Sequence, residues 1–228
     1  DTQYWGVCSQ AIDFSRWWLT LEGKSLLNKL KLQTGIFVLT AFLLGCNEFM
    51  IVGIISDLAQ SFNVSLSSLG LLVTLFGIVY AGITPVLTAW TNRWPRYRVL
   101  MWLMGIFCIG NTLTTLTPNL FWLFVSRIIT AAVAGVIISL ILAFVSLLTP
   151  MEKRGMTVAA VFAGFSIATI IGVPIGTMIS AAFSWRVSFG IISIFSILIW
   201  FLLAKILPRY SEQMAGNLNG QLSMFKDA

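Results

Sequence analysis

The sequence predicts an all-α membrane protein of six transmembrane helices, arranged as two inverted three-helix repeats. Three observations carry this expectation. Of 228 residues, 58% are hydrophobic and 10% charged, whereas soluble domains carry about a quarter charged residues. The apolar residues fall in runs long enough to cross a bilayer, which takes roughly 20 residues of helix. Those runs are unbroken: a membrane β-barrel would alternate apolar and polar residues over about 10 positions, and Phe189 to Leu203 does not alternate.

Residues 1–33 stand apart as a polar N-terminal tail. Trp17 and Trp18 precede Lys24, Lys29 and Lys31 among leucines, a pattern that fits either an interfacial helix or a poorly ordered end. No cleavable signal peptide is evident. The transmembrane domain covers 34–207, with crossings expected at about 35–58, 68–91, 98–117, 120–148, 157–181 and 188–207. Turn signals separate them at Asn63 to Ser68, around Pro95, at Thr117-Pro118-Asn119, from Pro150 to Gly155 and from Phe183 to Arg186. Short connections make neighbouring helices antiparallel. Residues 208–228 are polar and read as the start of a cytoplasmic loop.

The six crossings differ in character. The second has Gly70, Thr74, Gly77, Ala81, Thr84 and Thr88 along one face, and the fifth has Ala160, Gly164, Ala168, Gly172, Gly176 and Ser180 every four residues. Such stripes let a second backbone approach or line a cavity. The third and sixth are bulky nearly all round, which suits contact with lipid.

Several chemistries are excluded. Histidine is absent, and Cys8, Cys46 and Cys108 are too scattered for a metal knuckle or redox pair. Gly164 to Ala168 lacks the last glycine of a nucleophile elbow, and there is no phosphate-cradling loop ending in Lys-Ser or Lys-Thr. The chain is therefore expected to be no enzyme, to need no cofactor or metal, and to draw on an ion gradient for any work. The net charge of +6 is explained by topology: twelve of the fourteen Lys and Arg residues fall on the side of the N-terminal tail and even-numbered loops, against Arg186 on the other side. Basic residues mark the cytoplasmic face, so both termini are expected there, and no nucleic-acid partner is implied.

Two charges lie inside crossings, Glu48 in the first and Arg127 in the fourth. A charge in the hydrocarbon costs several kcal/mol unless paired or wet, which makes each a functional candidate. Counted along their helices, both sit about 10 Å below the outer edge of the bilayer core. Each also occupies the first helix of its three-helix repeat, facing a central cavity. Burial disfavours a charged carboxylate and a guanidinium favours it, so two groups that move relative to one another can take up and release a proton. A permanent ion pair fixing the two helices is the competing explanation. Asn47 offers hydrogen bonds to a substrate or to a neighbouring helix; Thr74, Thr84, Ala131 and Gly135 complete the candidate substrate cavity.

The run Gly45-Cys46-Asn47-Glu48-Phe49-Met50-Ile51-Val52-Gly53-Ile54 is similar to the first-helix signature of the drug:proton antiporter and sugar efflux branch of the major facilitator superfamily. The segment Asn92-Arg93-Trp94-Pro95-Arg96-Tyr97-Arg98 resembles that family's basic gating loop, with Asn92 at the usual acidic position and Pro95 at the usual glycine. Arg127 corresponds to the fourth-helix arginine thought to serve proton coupling, without the Gln-Gly that normally follows. Gly172-Val173-Pro174-Ile175-Gly176-Thr177 resembles the fifth-helix antiporter motif, with the proline shifted by one residue and Thr177 replacing the last glycine. Gly164 lies on the same stripe, and Trp185-Arg186 fits the start of the sixth helix. Pro174 lacks an N–H and should bend its helix.

The resemblance covers about 34–207 and implies the N-terminal half of a transporter that exports a small organic solute, of drug, sugar or nucleoside class, by proton antiport across the bacterial inner membrane. Implied partners are substrate, protons, lipid, and either a C-terminal half or a second copy. The alternative is a half-transporter acting as a non-transporting subunit or inactive fragment.

Overall fold

The computed structural model describes residues 29–91 and 93–207. The tail and loop expected at the two ends lie largely outside the described residues, except that helix already begins at Lys29. Among the described residues, six helices are long and apolar enough to cross a membrane. The first span is α1 (Lys29–Gly53), extended after an irregular residue, Ile54, by a short helix α2 (Ile55–Phe62). Then come α3 (Leu66–Thr91), α4 (Arg96–Leu116) and α5 (Leu120–Leu148) as spans two to four. The fifth span joins α6 (Met151–Ile167), a π turn (Ala168–Gly172) and α7 (Val173–Ala182). The sixth is α8 (Trp185–Ile206).

The boundaries follow local chemistry. Asn63 closes α2 in the left-handed conformation, with φ 51°, which Asn tolerates better than most residues. Asn119 caps α5 by accepting from Trp122 N–H, and Ser184 caps α8 by accepting from Arg186 N–H; both satisfy donors that a helix start leaves free. The sequence predicts a bend at Pro174. The structure places a π turn directly ahead of that proline: Val173 N–H reaches back to Ala168 O, a wider loop that absorbs the missing donor without ending the span.

Burial repeats in the two halves of the bundle. Within the apolar 18-residue stretch of each span, 61% of the residues are buried in the first and fourth, only 17% and 22% in the second and fifth, and 50% and 39% in the third and sixth. This like-for-like order is what two three-helix repeats produce. It also revises the expectation for the bulky third and sixth crossings. α4 packs against both α5 and α8, burying Leu103, Met104 and Phe107 while Trp102, Ile106 and Ile109 face outward.

The two small-residue stripes behave differently. Apolar side chains gain little by leaving lipid for a protein interior, so close packing and hydrogen bonds hold such helices together. Along the fifth span, Gly164, Ala168, Gly172, Gly176 and Ser180 are buried and meet α1 and α2. A Cβ on Gly164 would stand 2.5 Å from Val38 O, and one on Gly45 would stand 2.8 Å from the Ala168 methyl. Gly172 and Gly176 likewise leave no room against Cys46 and Met50. On α3, by contrast, Gly70 and Gly77 face open space.

Candidate functional site

The site grows from Arg127, about two helical turns into α5, on its buried face and 1% exposed. A guanidinium has five N–H donors and no acceptor, so its surroundings must supply oxygens. Its Nη2 donates to Asn47 O at 2.8 Å and its Nη1 to Asn47 Oδ1 at 3.3 Å. Its face rests on Phe76 of α3, 4.6 Å from the ring centroid, and on Phe189 of α8 at 5.8 Å. Its Nε is buried with no hydrogen-bond partner. Cation–π contact offsets part of the desolvation, but the Nε donor remains unmet.

Asn47 does not act alone. Its Nδ2 donates to Asn111 Oδ1 of α4, and Asn111 Nδ2 donates to Phe107 O at 3.0 Å. Both asparagines are fully buried. One polar chain thus crosses α4, α1 and α5, and Asn111 is the member that sequence reading misses. Next to it on α4 are further hydroxyl contacts: Thr114 Oγ1 donates to Ser126 Oγ at 2.9 Å, and Thr112 and Ser193 oxygens lie 2.8 Å apart.

Glu48 is half-buried and close enough to interact electrostatically with Arg127 of α5 and Tyr80 of α3. Among the described residues no salt bridge or hydrogen bond holds its carboxyl group. Arg127 therefore bonds to the neighbour of Glu48 rather than to Glu48 itself.

The other candidates spread along the bundle. Thr84 and Thr88, with Tyr80, Ala81, Pro85, Ala89 and Ser139, line an open groove of about 570 Å³ between α3 and α5. Pro85 leaves the Ala81 carbonyl without its usual helical donor. Gly135 packs against Thr84, whose Oγ1 lies too close for any added carbon. Ala131 is fully buried in helix packing, and Thr74 is exposed with its hydroxyl bonded to Gly70 O at 3.1 Å. Gly164, Gly172, Gly176, Pro174 and Thr177 lie on the fifth span, with the first three packed on α1 and Pro174 exposed. Thr177 packs against Gly53. Arg93, Arg96 and Arg98 cluster at the basic end of α3 and α4, while Asn92 lies outside the described residues.

The opposite end has its own polar ties. Ser180 Oγ donates to Asp57 Oδ2 at 2.5 Å, and Trp185 Nε1 donates to Ser61 Oγ at 3.1 Å. Arg186 lies over the Trp185 ring at 4.3 Å and donates to Thr117 O at 3.1 Å. These bonds fix α2 to the end of the fifth span and the start of the sixth.

Comparison with known proteins agrees with this architecture. The chain is 35% identical over 191 residues to the uncharacterised MFS-type transporter YbcL of Bacillus subtilis (strain 168), an alignment covering 84% of this chain and 49% of that protein. It is 30% identical over 185 residues to a probable sugar efflux transporter of Helicobacter acinonychis (strain Sheeba), covering 81% of this chain and 47% of the relative. Among solved structures, the proton:xylose symporter XylE superposes with a TM-score of 0.69 at 19% identity, over 79% of this chain and 45% of that one; this supports the fold. The chain spans about half the length of the curated relatives it matches. With residues 37–223 matching the family pattern and six packed spans in place, the chain belongs to the Major Facilitator Superfamily.

Proposed function

We propose that this chain forms the N-terminal half of a secondary transporter that exports a small organic solute of sugar, drug or nucleoside class in exchange for protons. The observation that carries the reading is the pairing of Arg127, buried with a free Nε donor, with Glu48, a carboxyl group in electrostatic reach but without a direct bond. A carboxylate that gains or loses contact with a guanidinium changes its hold on a proton. The free donor leaves Arg127 able to make that contact. The hydroxyl-lined groove between α3 and α5 supplies neutral hydrogen-bonding groups for the solute, and the names of the sugar efflux relatives favour that class. The weakly buried faces of α3 and of α6 and α7 are the surface on which six further helices would close the cavity. Those helices come from a C-terminal half or a second copy, in a bacterial inner membrane with both termini, and the bundle's basic end, cytoplasmic.

Vesicles made acid inside test this, carrying the chain alone or with the last six helices of YbcL co-expressed. Labelled glucose, uridine and ethidium serve as probes of the three classes. Uptake of at least one probe, driven by proton exit and abolished by Glu48→Gln, is the expected result. Undiminished uptake in Glu48→Gln ends the coupling assignment. No uptake of any probe in either arrangement favours a non-transporting membrane subunit, the reading that the half-length match also allows.

A further inference from the structure

We propose that Asn111 is a positioning residue that, through Asn47, holds the Arg127 guanidinium off Glu48 and thereby governs how readily Glu48 takes up a proton. The inference rests on the proposed coupling role of Glu48 and goes one step deeper, to the group that controls it.

The hydrogen bonds permit only one arrangement of the two amides. Arg127 can only donate, so Asn47 must turn its Oδ1 towards Nη1. Asn47 Nδ2 then faces Asn111, which must present its Oδ1. That leaves Asn111 Nδ2 for the Phe107 carbonyl one turn back on its own helix, at 3.0 Å. The backbone of α4 therefore sets the orientation of Asn111, Asn111 sets Asn47, and Asn47 holds the guanidinium. Each of these three polar side chains is at most 1% exposed, so water cannot substitute for a missing partner.

Arg127 has two possible resting places on adjacent residues of α1: the neutral Asn47, which it occupies, and the carboxyl group of Glu48, which it does not. Its long Nη1 contact and unpaired Nε leave the occupied place incompletely satisfied. The balance between the two places is then sensitive to whatever keeps Asn47 oriented. If Asn111 is lost, the Asn47 amide loses the partner that anchors its Nδ2, its side chain can rotate away from Nη1, and the guanidinium, short of an acceptor, is displaced towards Glu48. The carboxylate is stabilised and its protonation suppressed. The remaining surroundings of Glu48 cannot compensate. Tyr80 of α3 is a titratable group in electrostatic reach of it, and the Cys46 thiol lies two residues away on its own helix. The fifth span, packed against α1, has no titratable side chain from Gly155 to Ala182. Charged residues of α4 and α8 lie at the helix ends, in Arg96, Arg98, Arg186 and Lys205.

A hydrophobic carbodiimide reports the protonated form, because it modifies a carboxyl group in an apolar site only when that group carries its proton. The purified chain in liposomes is treated with dicyclohexylcarbodiimide across pH 5–9, and modification at Glu48 is followed by peptide mass spectrometry, with Glu48→Gln as background. Asn111→Leu is expected to slow modification at a given pH by about tenfold, the lower end of what a guanidinium does to a neighbouring carboxyl group. Asn111→Ala gives the same result without added bulk and serves where the leucine variant does not fold. Asn111→Asp gives up the bond to Phe107 O but still offers Asn47 Nδ2 an acceptor oxygen, and is expected to react at or above the wild-type rate, a sign that mere loosening of the fold would not produce. Unchanged modification in Asn111→Leu and Asn111→Ala overturns the positioning role. Absence of modification in the wild type at every pH strikes instead at Glu48 as a proton carrier.

Discussion

At the scale of single residues, Asn47 and Glu48 are neighbours with opposite structural weight. Asn47 is fully buried and accepts from Arg127 through both its side chain and its backbone carbonyl. Asn47→Leu removes one hydrogen bond to a buried charge and strands a donor, at a cost of about 1.5–3 kcal/mol. Glu48 has no direct ion pair to lose, so Glu48→Gln is expected to stay within about 1 kcal/mol of wild type. Thermal unfolding in detergent checks both; an equal loss in the two variants would mean that Glu48, too, holds the fold together. The legibility of these residues in the sequence differs for a physical reason. A lone charge within an apolar run is conspicuous because lipid penalises it, which singles out Glu48 and Arg127. Asn111 carries no such penalty signal, and the rotation of α4 that brings it to Asn47, 64 positions away, is a property of packing that no local spacing encodes.

At the scale of elements, hydropathy and turn signals locate all six spans, since each must cross the same thickness of hydrocarbon with its backbone bonds closed internally. Details that depend on a neighbour escape them. The π turn ahead of Pro174 and the break at Ile54 depend on how the first and fifth spans pack along their length. The small-residue stripes make the same point. Both look alike in sequence, yet the one on the fifth span meets α1 while the glycines of α3 face nothing. Gly164→Val would drive a side chain into Val38 O, and overpacking of this kind costs about 1–3 kcal/mol. Gly77→Ala meets no atom and replaces a poor helix former, a gain of about 0.5–1 kcal/mol. Opposite shifts in melting temperature are expected. A loss at Gly77 would show that the open face of α3 is covered by another helix in the preparation.

For the whole molecule, the packed bundle separates charge by end. Lys29, Lys31, Arg93, Arg96, Arg98, Lys153, Arg154 and Lys205 all lie at one end of the six spans, while Arg186 alone among the described Lys and Arg residues lies at the other. Lys and Arg near the ends of spans are retained on the cytoplasmic side during insertion, and the anionic inner leaflet then adds about 1 kcal/mol for each basic residue at its surface. Eight such residues against one underlie the proposed orientation, with the basic end cytoplasmic. The turn residues Trp94 and Phe183, 56% and 78% exposed, mark the two ends. In a background with Cys8→Ser, Cys46→Ala and Cys108→Ala, Phe183→Cys should react on intact cells with a membrane-impermeant maleimide. Trp94→Cys should react only after permeabilisation. The reverse pattern would turn the bundle over in the membrane and place the level shared by Glu48 and Arg127 near the cytoplasmic mouth, which would require the proton to enter from the other side.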